Sequence, residues 1–196
     1  YFQPDADVKK LLGIKDTEKY VIVRFVSWKA THDIGEGGFS DAEKVELIER
    51  LAARFRVFIT AEGTLPDEFK KFRLSIPPQL LHHVLAFAEI VISEGATIAS
   101  ESGLLGSPSV YYSSIARSYL EDQEKYGTVH NFRPGNGIMQ KIDKIISSDK
   151  NDYKVKSQKL IADKIDVNAF MVWFIENYPQ SLKTMKEDPD HQLEFR

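Results

Sequence analysis

The sequence predicts an α/β fold, a Rossmann-like parallel sheet sandwiched by helices. Short β-branched runs, such as YVIVRFVS at 20–27 and EIVIS at 89–93, alternate with stretches whose apolar residues recur at helical spacing. In addition, the run ending at Ser93 leads directly into small residues and then a helical pattern. This strand–turn–helix sequence is typical of parallel strands joined by crossover helices.

The elements follow in order along the chain. The first strand is predicted at Tyr20–Ser27, and a helix begins near Ser40, an N-cap with Glu43 placed as in a capping box. The later strands are predicted at Arg56–Thr60, Leu74–Ile76 (a brief edge or connector strand), Glu89–Ser93, Pro108–Tyr112 and Thr128–Phe132. The later helices are predicted from Pro77-Pro78 through Ala88, then at Thr97–Leu105, 116–126, 136–147, 154–164 and 167–177.

Three segments are expected: a linker at 1–18, a sheet domain at 19–150, and C-terminal helices with a tail at 151–196, the last fifteen or so residues being the tail. The helix at 167–177, capped by Asp166, is apolar around much of its circumference. It therefore either packs back across the sheet domain or buries part of itself against a domain not present in this sequence. An exposed apolar helix of this kind could also drive homo-oligomer formation.

Composition excludes several classes of function. A net charge of −3 and a pI near 6.0 give no overall electrostatic reason to bind nucleic acid. The absence of cysteine excludes disulfides and thiolate chemistry. Apolar runs such as Tyr20–Val26 are far shorter than the roughly 20 residues of a membrane helix, and no signal-peptide pattern opens the chain. We expect a cytoplasmic protein with no transmembrane segment, from which something upstream of Tyr1 has been removed.

The segment Ser93–Pro108 is the strongest candidate site. In open parallel sheets, ligands bind at the carboxyl ends of the strands. Small residues allow a ligand to approach the backbone, and the free N–H groups of a first helical turn suit an anion such as diphosphate. Glu101, about one turn into the helix, could accept hydrogen bonds from ribose hydroxyls, or it could merely complement the helix dipole in a closely packed segment. The predicted nucleotide- and phosphate-binding residues are Gly95, Ala96, Thr97, Ile98, Ser100 and Glu101.

The loop Ser27–Gly38 is the second candidate, since it is long, rich in glycine and at the carboxyl end of the first strand. His32 and Asp33 are predicted as catalytic residues, with Lys29 in the same cleft. The alternative is a flexible loop with a solvent-exposed histidine.

Three further residues are predicted to line the cleft: Arg24, Glu62 and Glu94. Arg24 could anchor a carboxylate or phosphate from inside its strand, or form an internal salt bridge. Glu62 ends the second strand and could instead be a simple exposed turn residue. The adjacent His82 and His83 point to different sides of a helix, and no carboxylate spacing supports a metal site.

The motif Ser93–Pro108 resembles that of GT-B glycosyltransferases and UDP-N-acetylglucosamine 2-epimerases. In register, Glu94 takes an acidic position that usually holds aspartate, Gly95–Thr97 the small turn, and Glu101 the ribose-binding glutamate. Ala96 and Thr97 depart from the paired glycines of the epimerases. Nearly the full chain also resembles an uncharacterised archaeal and bacterial family placed in this superfamily. The residues that carry that resemblance are Arg24–Trp28, His32–Gly35, Ser93–Pro108 and Asp166–Tyr178.

The resemblance implies the C-terminal half of a GT-B-type two-domain architecture, with a nucleotide-sugar-binding domain at 19–150 and the catalytic base largely in an N-terminal domain. It implies a metal-independent glycosyltransferase-type protein that binds a nucleotide sugar, a UDP-sugar in particular, and uses no cofactor. The alternatives are a sugar-nucleotide 2-epimerase, a non-catalytic nucleotide-binding or interaction module, and a flavodoxin-like interaction domain without a nucleotide site.

Overall fold

A computed structural model of the chain describes residues 2–27, 37–135 and 137–196. The strands are β1 Tyr20–Phe25, β2 Arg56–Ala61, β3 Val91–Ser93, β4 Ser109–Tyr112 and β5 Val129–Phe132. The helices are α1 Val8–Leu11, α2 Asp41–Ala52, α3 Leu81–Phe87, α4 Ala96–Leu104, α5 Ser118–Tyr126, α6 Ile138–Ile146, α7 Lys150–Asp163, α8 Val167–Glu176 and α9 Gln180–Glu187. Three 3₁₀ segments lie at Asp67–Phe72, Pro78–Leu80 and Pro189–Phe195.

The five strands form one parallel sheet in the order β2-β1-β3-β4-β5. The chain leaves β1 toward β2 and leaves β3 toward β4, so the connections diverge between these two neighbouring strands. Such a divergence is the topological switch point of an open α/β sheet, where ligands bind. The parallel, Rossmann-like sheet predicted from the sequence is therefore confirmed.

Helices cover both faces of the sheet because alternate strand residues point to opposite sides. Val21, Val23 and Phe25 belong to an apolar cluster that includes residues of α2 and α6. Tyr20 and Ile22 belong to a second cluster that includes residues of α1 and α3. A third, smaller cluster joins α4 and α5 to β4 and β5. The helices α3 and α4 both contribute residues to the candidate functional site described below.

The start of α2 is fixed as the sequence predicts. The hydroxyl of Ser40 accepts a hydrogen bond from the backbone N–H of Glu43, and the Glu43 carboxylate accepts one from the N–H of Ser40, which completes the capping box. Further along, Arg50 and Arg54 both bind the carboxylate of Asp143 on α6, at 2.6 and 3.2 Å. These contacts hold the two helices of this face together.

The predicted strand Leu74–Ile76 is not a strand in the structure. Its place is taken by a single parallel bridge between Arg73 and Ile59, with the Leu74 N–H donating to the Ile59 carbonyl at 2.8 Å. Pro77 and Pro78, which have no N–H to donate, follow this segment, and a 3₁₀ turn begins at Pro78. The remaining predicted strands are present, with ends shifted by a residue or two.

Both ends of the chain contain regular structure. Within residues 1–18, where the sequence suggests a linker, α1 forms, and Val8 and Ile14 are buried in the second apolar cluster. The last fifteen residues, expected as a tail, include part of α9 and the 3₁₀ segment Pro189–Phe195.

Residues 158–196 form a compact unit separate from residues 1–157. Within this unit, Asp166 caps α8 by accepting a hydrogen bond from the Ala169 N–H at 3.0 Å. Phe170 and Trp173 pack against Phe195, with ring centroids 5.5 and 5.4 Å apart. Another set of apolar side chains on α8 stays more than half exposed: Met171, Val172 and Ile175. None of the helices in the described ranges has the length and apolar character needed to cross a bilayer.

The free energy of unfolding should fall as the pH is lowered from about 7 to about 5, because His130 is held neutral in the folded protein. Burial lowers the pKa of His130, and Lys156 lowers it further while Glu124 opposes the change. The unfolded chain, with an ordinary histidine pKa, therefore binds more protons in this range, and protonation favours unfolding. Urea unfolding of wild type and His130→Gln across this pH range measures the effect. We expect a shallower dependence in the variant, and equal slopes would contradict the prediction.

Candidate functional site

The candidate site is the region at the carboxyl ends of the neighbouring strands β1 and β3, called here the switch crevice, and it comprises Arg24–Ser27 and Ser93–Thr97. Arg24 and Ser93 are register partners in the sheet. α4 begins at Ala96, directly after the crevice, with Gly95 as its N-cap and therefore no capping side chain. Among the described residues, no group accepts a hydrogen bond from the N–H groups of Ala96, Thr97 or Ile98. These free donors, at the positive end of a nine-residue helix, can bind an anion.

Packing does not require a glycine at position 95, whereas it does at Gly103. A Cβ atom at Gly95 would lie 3.6 Å from both Ser93 Oγ and Val26 Cγ2, which is ordinary contact. By contrast, a Cβ at Gly103 would lie 2.7 Å from Val129 Cγ2. An alanine would therefore fit at Gly95, and packing does not explain why a glycine stands at the start of α4.

Arg24 lies beside the start of α4, and its guanidinium is paired with Glu62. The distance from Arg24 Nη2 to Glu62 Oε1 is 3.0 Å, with the Arg24 side chain 24% exposed and that of Glu62 45% exposed. A Cβ at Gly95 would lie 3.9 Å from Arg24 Cγ, which places the stem of the arginine against the crevice. Of the two roles considered for Arg24, the internal salt bridge is the one present. Because Glu62 is exposed, another anion could replace it as the partner of Arg24.

Glu94, predicted to line the cleft, is buried at 2% exposure. Its Oε2 accepts a hydrogen bond from the Val26 N–H at 2.7 Å, and its Oε1 accepts one from the Phe39 N–H at 2.8 Å. Val26 and Phe39 flank the loop that connects β1 to α2. The carboxylate therefore joins the two ends of that loop, and its oxygens are occupied by backbone donors rather than open to a ligand.

Glu101 is on the side of α4 that meets α3. Its Oε2 lies 3.2 Å from Nε2 of His82, and its side chain is 33% exposed. Within the described part of the chain, Oε1 of Glu101 has no hydrogen-bond partner. A half-exposed carboxylate with one oxygen held and the other open can accept hydrogen bonds from hydroxyl groups.

The other residues predicted in the helical turn differ in their environment. Thr97 is exposed at the start of α4, whereas Ala96 and Ile98 pack partly against the apolar clusters. The hydroxyl of Ser100, predicted to bind nucleotide, accepts a hydrogen bond from Gln123 Nε2 on α5 at 2.9 Å. Ser100 therefore joins α4 to α5, and its hydroxyl is engaged within the protein rather than available to a ligand.

The carboxyl end of β4 is fixed next to the crevice by Tyr112. Its hydroxyl donates to Glu43 Oε1 at 3.0 Å and accepts from the Gly135 N–H at 3.1 Å, while its ring stacks on Phe39 with centroids 4.0 Å apart. Burial raises the pKa of Tyr112. Burial also acts to raise the pKa of Glu43, but hydrogen bonds from Ser40 and Tyr112 outweigh it and lower that pKa. This network holds Phe39, and with it one end of the loop that Glu94 joins.

A cavity of about 440 Å³ opens on the α2 side of β1 and shares Val26 and Ser27 with the switch crevice. Phe25 and Phe69 form part of its apolar lining. Lys44 lies at its wall, with Nζ 5.5 Å from the centroid of the Phe25 ring and 3.5 Å from Asp41 Oδ1. The carboxyl edge of the sheet thus offers room for a small molecule beside the crevice.

The predicted catalytic residues His32 and Asp33, and the predicted cleft residue Lys29, lie outside the described residues. Their roles remain predictions. Within residues 2–27, 37–135 and 137–196, no three histidine, aspartate or glutamate side chains come together in a way that could hold a metal ion.

Two partners at the site were not assigned from the sequence. Glu62 is paired with Arg24, and the register of β1 with β2, which places Arg24 opposite Thr60, would have suggested this had the pairing been known. His82 is paired with Glu101, although the two are 19 positions apart in the sequence and β3 lies between their helices. Only the adjacency of α3 and α4 reveals that contact.

Comparison with known proteins adds information about the fold. No family model matches the chain, and no curated protein does. Among solved structures, CalG4, the calicheamicin glycosyltransferase, is similar with 14% identity and a TM-score of 0.50, over 91% of this chain and 45% of that chain. The glycotransferase of kitacinnamycin matches with 14% identity and a TM-score of 0.49, over 74% and 40% of the two chains.

The UDP-GlcNAc 2-epimerase from Neisseria meningitidis, solved with UDP-GlcNAc bound, matches with 15% identity and a TM-score of 0.45, over 80% and 47%. The chain thus spans less than half the length of each of these proteins. At such identities the similarity to CalG4 shows the fold alone, and it agrees with the Rossmann-like domain predicted from the sequence.

Proposed function

We propose that the chain binds the nucleoside diphosphate part of a sugar nucleotide in the switch crevice, as one domain of a glycosyltransferase-type protein. The observation that carries this proposal is the start of α4. The N–H groups of its first turn have no acceptor among the described residues and lie at the topological switch point, next to a glycine that packing does not require. The resemblance of Ser93–Pro108 to the GT-B motif supports the same assignment.

The diphosphate is proposed to bind the N–H groups of Ala96, Thr97 and Ile98. The helix dipole and the nearby Arg24 guanidinium offset its negative charge, with Glu62 giving way to phosphate on Arg24. Because this positive charge comes from the protein itself, we propose a metal-independent reaction. Contacts of Lys29, His32 and Asp33 with phosphate or sugar are part of the proposal.

The ribose is proposed to bind Glu101. Its carboxylate lies in the same helix as the phosphate-binding turn, and its Oε1 is open to accept hydrogen bonds from the 2′- and 3′-hydroxyls. We propose uridine as the base, on the strength of the family resemblance.

Replacing Glu101 by alanine should weaken nucleotide binding by at least about tenfold, because hydrogen bonds to a charged group are lost. The measurement is calorimetry and ligand-detected NMR of the chain against UDP, GDP, CMP and ADP, with wild type and Glu101→Ala side by side. Glu49→Ala is the matched control, since Glu49 is an exposed glutamate on α2, away from α4.

Saturable binding of UDP that is weakened in Glu101→Ala and unchanged in Glu49→Ala is the expected result. Equal binding by both variants would contradict the placement of ribose at Glu101. If the wild-type chain binds none of the four nucleotides, the proposal of a nucleotide site fails. A 2-epimerase would share this nucleotide site and would be distinguished by its product, an epimerised sugar nucleotide rather than a glycosylated acceptor.

A further inference from the structure

The contact between His82 and Glu101 joins α3 to α4 at the proposed ribose position. Nε2 of His82 lies 3.2 Å from Glu101 Oε2, a contact that becomes an ion pair when the imidazole is protonated. The two side chains are 48% and 33% exposed. Ion pairs and hydrogen bonds this exposed contribute little to the stability of a fold. The contact therefore matters for the orientation of the Glu101 carboxylate rather than for the stability of the fold.

The backbones that carry the two side chains are firmly anchored. In α3, Val84 and Leu85 are fully buried, and their carbonyls accept hydrogen bonds from the hydroxyls of Tyr20 and Ser107. In α4, the Ala99 carbonyl accepts a hydrogen bond from the Ser109 hydroxyl at 2.8 Å. The His82 imidazole and the Glu101 carboxylate thus face each other from two anchored helices, an arrangement that can favour one orientation of a side chain.

We infer that His82 is the positioning residue for Glu101 and sets the preference of the site for a ribonucleotide. By holding Oε2, His82 leaves Oε1 in place to accept hydrogen bonds from the vicinal hydroxyls of a ribose. This inference rests on the proposed function. It narrows the ligand class to nucleotides with free 2′- and 3′-hydroxyls, since a ribose without them offers Glu101 nothing to accept.

The neighbouring histidine provides a matched control. His83 points elsewhere: its Nδ1 accepts a hydrogen bond from the Asp5 N–H at 2.8 Å, and its ring packs against Phe2 with centroids 4.7 Å apart. Substitution of His83 removes an imidazole from the same helix without touching Glu101.

The test compares the affinities of the chain for UDP and for 2′,3′-dideoxy-UDP by calorimetry. The proteins are wild type, Glu101→Ala, His82→Ala, His82→Gln and His83→Gln, each checked for folding by circular dichroism. His82→Ala should lower the affinity for UDP by up to about fivefold, the effect of one exposed side-chain contact, and leave the affinity for the dideoxy compound unchanged. His82→Gln, whose amide can donate to the carboxylate, should recover most of the preference, and His83→Gln should keep all of it.

The possible outcomes distinguish a failure of the inferred role of His82 from a failure of the proposed function. If wild type prefers UDP and Glu101→Ala abolishes the preference while His82→Ala retains it, the positioning role is wrong and the ribose site stands. A loss of affinity for both nucleotides in equal proportion in His82→Ala would indicate general structural damage and also overturn the role. If wild type binds UDP without preference over the dideoxy compound, or does not bind UDP, the proposed ribose contact of Glu101 fails, and the inference with it.

Discussion

Replacement of Glu94 by alanine should lower the free energy of unfolding by about 3 kcal/mol, because the N–H groups of Val26 and Phe39 lose their acceptor. Both donors bind this one carboxylate, which is 2% exposed. Buried donors without a partner are costly, and water cannot easily replace an acceptor that is enclosed on all sides. Urea unfolding followed by far-UV circular dichroism measures the change.

Glu62→Ala is the control for this prediction, since it removes a glutamate from the same edge of the sheet that is 45% exposed. We expect a change of less than about 1 kcal/mol in the control. A loss in Glu94→Ala no larger than in Glu62→Ala would show that the carboxylate does not hold the loop ends.

A double-mutant cycle with Gly38 tests the same geometry independently. A Cβ at Gly38 would lie 2.4 Å from Glu94 Oε1, so Gly38→Ala should destabilise the protein when Glu94 is present. In the Glu94→Ala background that added cost should shrink, which would appear as a coupling energy between the two sites. Additive effects would contradict the contact.

Gly103→Ala should lower the free energy of unfolding by about 2 kcal/mol, in spite of the higher helix propensity of alanine. Gly103 lies in α4 where the helix approaches β5, and an added Cβ would lie 2.7 Å from Val129 Cγ2 and 3.2 Å from the carbonyl oxygen of Thr128. The helix would have to move away from the sheet to admit it. Thermal and urea unfolding of the variant measure the effect.

Gly95→Ala is the matched control for this substitution, because the same methyl group meets only ordinary contacts there. We expect its unfolding free energy to remain within about 0.5 kcal/mol of wild type. Val129→Ala combined with Gly103→Ala should be less destabilised than the sum of the two single changes, since the side-chain part of the overlap is removed. If Gly103→Ala is as stable as wild type, the close approach of α4 to β5 is wrong.

Much of the fold could be predicted because its strands and helix ends depend on local sequence patterns. Val21, Val23 and Phe25 alternate with residues of the opposite face, and Ser40 with Glu43 marks the start of α2. The predicted strand at Leu74–Ile76 was wrong, since only a single bridge at Arg73 forms there. Local pattern alone cannot show how many ladder hydrogen bonds a short segment will form.

The place of the candidate segment in the fold could be predicted from the sequence, whereas the contacts of its side chains could not. The turn at Ser93–Thr97 does lie at the switch point, and Glu101 is one turn further along α4, as expected. The environment of Glu94 could not be predicted, since its partners Val26 and Phe39 approach it only once β1, β3 and α2 have assembled. The same holds for Ser100, whose orientation depends on Gln123 of α5. Tertiary contacts decide which side chains form hydrogen bonds within the protein and are therefore not available to a ligand.

The single bridge between Arg73 and Ile59 has a consequence for solubility. β2 is the outermost strand on its side of the sheet, and its free edge is a template on which another chain could form an intermolecular strand. The segment 65–74 meets that edge at the bridge, and its side chains Leu65 and Phe69 are buried. The prolines that follow cannot donate the hydrogen bonds of a further ladder. Because this segment pairs with β2 at one point, we expect local opening of residues 65–74 to leave more of the β2 edge available for pairing with another chain.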